Sequence, residues 1–295
     1  MMPKEKRIIP PSEMIINEDG TIFHLHLKPD QLSNKIIMCG DPSRVEAIAK
    51  NFDSIECDVT NREFRTITGT YQGKRITAIS HGIGCDNIEI VVNELDMLAN
   101  FDFEKRCTKD TFTQLTMVRV GTSGGIQPYT PIGSYVAAEK SIGFDGVIFY
   151  YGGSDRIRDL QYEEQLMQQL KWHIDGIKPY VVTADSELVE QITADTDIIR
   201  GSTIAANGFY APQGRKLRLP LADEELNKKI EAFSFDRFQV TNFEMESSAL
   251  AGLAALLDHK ALTVCCIIAG RQDLNMNTNY KGSIEGLIKI VLDRI

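Results

Sequence analysis

Short apolar runs rich in β-branched residues alternate along the chain with segments whose apolar positions return at helical spacing. The runs at 35–39, 75–80, 117–120, 133–138, 181–183, 198–205, 238–243 and 262–269 predict strands. Between them, Val45, Ile48 and Ala49 keep helical spacing, as do Ile90, Glu94, Leu95 and Leu98, and a terminal helix is predicted at 283–295. Strands alternating with helices predict an α/β layered domain. No repeat and no long Pro, Gly or Ser-rich linker divides the sequence, so 1–295 reads as one domain, with 1–20 as an N-terminal extension. The polar stretches 102–114 and 150–179 read as insertions that would decorate an interface or a pocket rim, the second carrying a predicted helix at 163–172.

Composition narrows the class of protein. At 295 residues, 43% apolar and 25% charged, the chain has the makeup of a globular protein, which excludes large-scale disorder. Acidic residues outnumber basic ones 41 to 32. The net charge of -9 has the wrong sign for a sequence-independent nucleic-acid binder, while a local basic pocket for a small anion stays open. The most apolar stretches, 249–257 and 261–270, fall short of the about 18 residues a membrane helix needs. Lys4, Lys6 and Arg7 stand near the start, but Pro10, Pro11 and Glu13 interrupt any continuous apolar region, so a cytoplasmic location is expected.

Cys39, Cys57, Cys85, Cys107, Cys265 and Cys266 form no Cys-x-x-Cys pair and are expected to be buried free thiols. His24 and His26 alternate in a strand-like segment at 23–27, while His173 and His259 fall on predicted helices, and no pair has metal-ligand spacing. Walker and dinucleotide patterns are missing and no Ser, His and acid set is recognisable from spacing, so nucleotide triphosphate, nicotinamide and serine hydrolase chemistry have no support.

Four segments concentrate groups suited to a small polar ligand. Gly40-Asp41-Pro42-Ser43-Arg44 follows a strand and opens a helix: Asp41 suits the N-cap, Pro42 the first turn, and Arg44 lies where the helix dipole favours an anion. A capped helix with a surface arginine reads equally from this pentapeptide. Arg119-Val120-Gly121-Thr122-Ser123-Gly124-Gly125 offers close backbone approach, two hydroxyls and a fixed charge for phosphate, or else a tight strand-to-loop turn. Glu244-Met245-Glu246 places two carboxylates on one side of an extended segment, able to accept bonds from sugar hydroxyls, unless a helical turn at Ser247 or Ser248 splays them. Phe209-Tyr210-Ala211-Pro212-Gln213-Gly214-Arg215 joins an aromatic ring, an amide and a guanidinium, a kit for a planar heterocycle, or a loop with a buried aromatic.

In this order, from about residue 23 to the C-terminus, the segments resemble the nucleoside phosphorylase family, and its uridine phosphorylase subgroup in particular. The resemblance implies a three-layer α/β/α sandwich with a mixed central sheet. It implies phosphate binding by Gly40, Arg44, Arg62, Arg119, Gly121 and Thr122, with ribose held by His24, Met245 and Glu246, Glu244 supporting them. It implies base recognition by Phe209, Gln213, Arg215 and Arg271, with Asp273 near the place of the purine-protonating acid of other members. His24 and Arg62 would come from a neighbouring subunit, which makes a dimer the minimal active unit and leaves a hexamer open. A monovalent cation, potassium, between subunits in some relatives maps to Glu63 and Ser80. His81 stands where many bacterial relatives have threonine.

The implied reaction is reversible phosphorolysis of uridine to uracil and ribose 1-phosphate in nucleoside salvage, a pentosyl transfer. Arg44, Arg119 and Arg215 carry the charge, phosphate is the co-substrate and no cofactor is required. A purine phosphorylase or a hydrolytic nucleosidase on the same fold, or an inactive nucleoside-binding protein, are the alternatives. Neither a nucleic-acid nor a membrane partner is expected.

Overall fold

The computed structural model describes residues 6–270 and 275–295. They form two compact units: one takes the chain up to Gly82 together with Ile90–Thr116, the other Ile83–Glu89 together with Met117–Ile295.

In the first unit, β1 (Lys35–Cys39) is an almost wholly buried apolar run, and Asp41 caps the helix that follows it, α1 (Pro42–Ala49), by accepting from the Ser43 amide at 2.8 Å. Pro42 occupies the first turn, as its missing N–H permits. β2 (Ser54–Asn61), β3 (Phe64–Tyr71) and β4 (Lys74–Ser80) make an antiparallel meander, and β1 joins it parallel to β4, pairing Ile36 with Thr77. The β2–β3 hairpin had no counterpart among the predicted strands. β2 is an edge strand with most side chains open to solvent, so it carries Glu56, Asp58 and Asn61 where an apolar alternation would have marked it.

The helix α2 (Cys85–Asn100) enters this unit at Ile90 and buries Val91, Val92, Leu95 and Leu98. After it, the short strands β5 (Phe101–Asp102) and β6 (Cys107–Thr108) fold the first expected insertion into a hairpin. This hairpin anchors the N-terminal segment: the Ile9 amide donates to Arg106 O at 2.7 Å, Lys6 Nζ to Thr108 O at 2.6 Å, and Met14 is fully buried.

In the second unit the strands are β7 (Thr116–Gly125), β8 (Tyr135–Gly143), β9 (Tyr180–Thr183), β10 (Ile199–Ala205), β11 (Ser234–Phe235), β12 (Phe238–Glu244), β13 (Lys260–Gly270) and β14 (Asn275–Met276). β10 runs parallel to both β8 and β12, while β8 meets β13 and β9 antiparallel, so the sheet is mixed. β12 also pairs with β7 through Asn242 and Phe243, so the path β7–β13–β8–β10–β12 returns to its start. The helices are α3 (Leu160–Leu170), α4 (Ser186–Thr193), α5 (Leu226–Ala232), α6 (Ser247–Leu256) and α7 (Lys281–Arg294). Residues Ser247 to Ala254 of α6 are all buried, which is why that stretch is apolar on every face.

Three local expectations change. The segment 23–27 is a turn, because the Glu94 carboxylate gathers the amides of His24 and Leu25 and withdraws them from strand pairing. His173 and His259 stand just beyond the ends of α3 and α6. α3 stops at Leu170, where Lys171 takes a left-handed φ of 48°, and Trp172 turns back to pack beside Phe144. The second polar stretch therefore supplies core as well as surface: Tyr162, Leu166 and Leu170 pack in one cluster with Ile230, Phe233 and Phe243.

Gly143, at the end of β8, lies against the ring of fully buried Tyr180, and a Cβ there would stand 2.3 Å from two ring atoms. Tyr180 is pinned by its hydroxyl, which donates to Asp145 at 2.9 Å, so the ring has no easy retreat. Gly143→Ala is expected to cost about 1–3 kcal/mol through overpacking, read as a lower urea midpoint with an unchanged slope.

Candidate active site

Arg119, inside β7, is 4% exposed and lies between two buried carboxylates. Its Nη1 donates to Glu244 Oε2 at 2.8 Å and its Nη2 to Glu246. Glu244 ends β12 and also accepts from the amides of Glu246 at 2.9 Å and Ser247 at 3.0 Å, which ties the first turn of α6 to the same group. Glu246 Oε1 accepts from the Gly84 amide at 2.8 Å. The chain thus turns at Met245, and the two carboxylates grip one guanidinium across that turn instead of pointing together from an extended strand. Burial works against the arginine's charge, but Glu246 and Glu244 outweigh it and hold its pKa above the usual guanidinium range.

Gly121 is what lets the guanidinium lie there. A Cβ on it would stand 2.7 Å from Arg119 Nη1 and 2.8 Å from Cys265 Sγ. The glycine-rich segment proves to be strand, since β7 continues to Gly125 with Gly124 paired to Phe243. Thr122 is half-buried, and Ser123 Oγ accepts from Asn242 Nδ2 at 2.9 Å.

The heterocycle segment builds its geometry from neighbouring residues. Residues Ala211–Gln213 make a single 3-10 turn that brings Arg215 back over Phe209, with Cζ 3.7 Å from the ring centroid. Arg215 Nη1 donates to Gln213 Oε1 at 2.6 Å, and Gln213, 3% exposed, donates through Nε2 to Gly208 O at 3.2 Å. Partial burial lowers the Arg215 pKa, with Tyr210 acting against that fall.

A cavity of about 420 Å³, within the usual size range for small-molecule sites, is lined by Gly84, Cys85, Asp86, Asp145, Asn207 and Met245. Asp145 was missed in the sequence. It accepts from Tyr180, from Ser248 Oγ at 2.8 Å and from the Val147 amide at 2.8 Å, and the available signal was an Asp-Gly pair just past the end of β8. Cys85 is buried and its thiol pKa is pushed well up, by burial first and then by Asp145, so it is an inert wall. Burial likewise pushes Cys265 up to about 12, with Arg119 pulling the other way. Five of the six thiols are buried and Cys57 is half-buried.

In the first unit, Gly40 joins β1 to α1 and Arg44 sits half-buried in the first turn of α1. Arg62 is exposed at the β2–β3 turn with φ 55°, its Cζ 5.7 Å from the Phe23 ring centroid. The same unit holds His24, whose Nδ1 is 2.6 Å from Glu94 Oε1. Ser80 Oγ donates to the main-chain oxygen of Glu63 at 2.7 Å and accepts from the Arg65 amide at 2.7 Å, while the Glu63 residue is exposed. His81 is buried. Arg271 and Asp273 lie outside the described residues. Among the described residues no group of three or more His, Cys, Asp or Glu could hold a metal ion, and no helix is long and apolar enough to cross a membrane.

The sequence model of the phosphorylase superfamily matches residues 34–285, and the chain belongs to that family. A uridine phosphorylase of Thermococcus kodakarensis is 29% identical over 260 residues, 86% of this chain and 79% of its own. A DeoD-type purine nucleoside phosphorylase of Oceanobacillus iheyensis is 27% identical over 284 residues, 92% of this chain and 98% of its own. The crystal structure of a Trypanosoma brucei nucleoside phosphorylase, which shows uridine phosphorylase activity, matches with a TM-score of 0.88 at 29% identity, covering 95% of this chain and 98% of that one.

Removing one carboxylate from the buried cluster leaves a guanidinium short of its partner and α6 short of its cap. Glu244→Ala is therefore expected to lower unfolding stability by about 3 kcal/mol or more, measured by urea denaturation.

Proposed function

We propose that the protein is a uridine phosphorylase, a pentosyltransferase that cleaves uridine with phosphate to uracil and ribose 1-phosphate, reversibly, in pyrimidine nucleoside salvage. The observation that carries this reading is the clip formed by Phe209, Gln213 and Arg215. Uracil presents two carbonyl oxygens flanking an N–H. A guanidinium and an amide held side by side can donate to the oxygens and accept from the N–H, while the ring beneath supplies an apolar wall. Identity over the whole chain does not separate uracil from purine, since relatives of both kinds lie at similar distance. The clip does.

As the glycosidic bond loosens, positive charge grows on the ribose and negative charge on the base. Arg215 stabilises the departing uracil anion, and Gln213 keeps that guanidinium in register. Glu246 accepts from the ribose hydroxyls beside Met245, its position fixed by Gly84 and Arg119. Phosphate enters as the nucleophile, held by the Gly40 and Gly121 main chain, Thr122, Arg44, Arg119, and Arg62 of a second copy, and it neutralises the ribosyl cation as it attacks. In this reading Arg119 serves phosphate and, through its bond to Glu246, also keeps that carboxylate in place. His24 of the second copy takes the ribose 5'-hydroxyl.

The working unit in this reading is a cytoplasmic homodimer of single-domain chains, with a hexamer as a further assembly. Phosphate is co-substrate and no cofactor takes part. Glu63 and Ser80 offer oxygen donors of the kind potassium prefers, and such an ion would supply charge at the subunit boundary.

The deciding assay follows uridine loss by ultraviolet difference absorbance with and without phosphate, with inosine in parallel. Cleavage of uridine only when phosphate is present, with inosine untouched, is the expected result. Cleavage without phosphate would mean a nucleosidase, cleavage of inosine a purine enzyme, and binding without turnover an inactive relative. Arg215→Ala is expected to lower turnover of uridine by about 100-fold or more, the loss of one transition-state donor. Glu246→Gln should reduce kcat/KM for uridine more than for 2'-deoxyuridine, and equal losses on both would remove the ribose 2'-hydroxyl from its partners.

A further inference from the structure

We infer that Glu94 is a positioning residue for His24, setting which ring nitrogen meets the nucleoside. The inference rests on the proposed reading of His24 as the 5'-hydroxyl contact. Glu94 lies on the buried side of α2 with Val91, Leu95 and Leu98, and is 5% exposed. A carboxylate among apolar neighbours is costly unless its oxygens are filled, and here they are filled by one segment alone. Both oxygens accept from the His24 amide, at 3.0 and 3.1 Å, Oε2 accepts from the Leu25 amide at 2.8 Å, and Oε1 lies 2.6 Å from His24 Nδ1.

The two amide bonds would suffice to hold the turn. The third contact does something else. An ionised carboxylate only accepts, so the ring nitrogen that faces it carries the proton, and Nε2 is left as the atom that can meet a hydroxyl. The ring plane is fixed as well. Phe23 lies edge-on at 4.7 Å and Phe64 at 6.4 Å, and Asn61 Nδ2 donates to His24 O at 2.8 Å. Asn61 and Phe64 flank the turn that carries Arg62, whose guanidinium stands over Phe23. His24 and Arg62 are thus presented from one braced surface of the first unit, with Glu94 as its buried pin.

The test compares uridine with 5'-deoxyuridine, which lacks the hydroxyl at issue. His24→Ala should lower the ratio of their kcat/KM values. Glu94→Gln, in which an amide N–H₂ replaces one accepting oxygen, should lower the same ratio by about tenfold, the worth of one hydrogen bond, while turnover of 5'-deoxyuridine holds. The double variant should be no worse in ratio than His24→Ala. If Glu94→Gln leaves the ratio intact, or depresses both substrates alike, Glu94 is a loop anchor and the inference is overturned. If His24→Ala itself leaves the ratio intact, the reading of His24 fails and the inference falls with it. Should Glu94→Gln not fold, ¹⁵N spectra of histidine-labelled wild-type protein, with His24 assigned from His24→Ala, give the answer: a protonated Nδ1 supports the inference and an unprotonated Nδ1 overturns it.

Discussion

A single guanidinium held by two buried carboxylates sets the geometry of the second unit's site. Arg119 joins the middle of β7 to the end of β12 and the start of α6, and Glu246 carries the link on to the Gly84 amide. A buried ion cluster of this kind roughly breaks even in stability, because desolvation offsets the attraction. Its value lies in geometry: each carboxylate oxygen has a fixed donor, so Glu246 cannot rotate away from the direction it faces. Gly121 is the covalent condition for the cluster, since any side chain there would occupy the place of the guanidinium.

The clip of Phe209, Gln213 and Arg215 obeys a different rule. Its members lie within a few residues of one another, and one 3-10 turn is enough to lay Arg215 over Phe209 and against Gln213. Such a site needs little from the rest of the fold beyond burial of Gln213, which protects the amide from competing water. The clip is therefore local, while the Arg119 cluster is assembled from distant strands.

Charge is distributed to match. The chain is acidic overall, yet the groups assigned to anion chemistry are arginines set in a strand, a helix start and tight turns, where backbone geometry limits their wandering. An arginine fork held in this way keeps its direction at lower entropic cost than a free surface lysine. Five of the six cysteines are buried, with raised pKa values at Cys85 and Cys265, and pack as small apolar side chains.

The sequence by itself determined whatever depends on neighbours along the chain. Period and composition marked β1, β4, β10 and β12, the Asp41 cap and Pro42 marked α1, and the clip at 209–215 was readable as a unit. The edge strand β2 escaped, because an exposed strand needs no apolar alternation. Only tertiary structure decided that the segment at 23–27 is a turn, that Glu244 and Glu246 share Arg119, and that Asp145 faces a cavity. The reason is separation: His24 lies 70 residues from Glu94, and Arg119 lies 125 and 127 residues from its two carboxylates. No propensity or spacing rule reaches that far, and a buried charge finds its partner only when the core has closed around both.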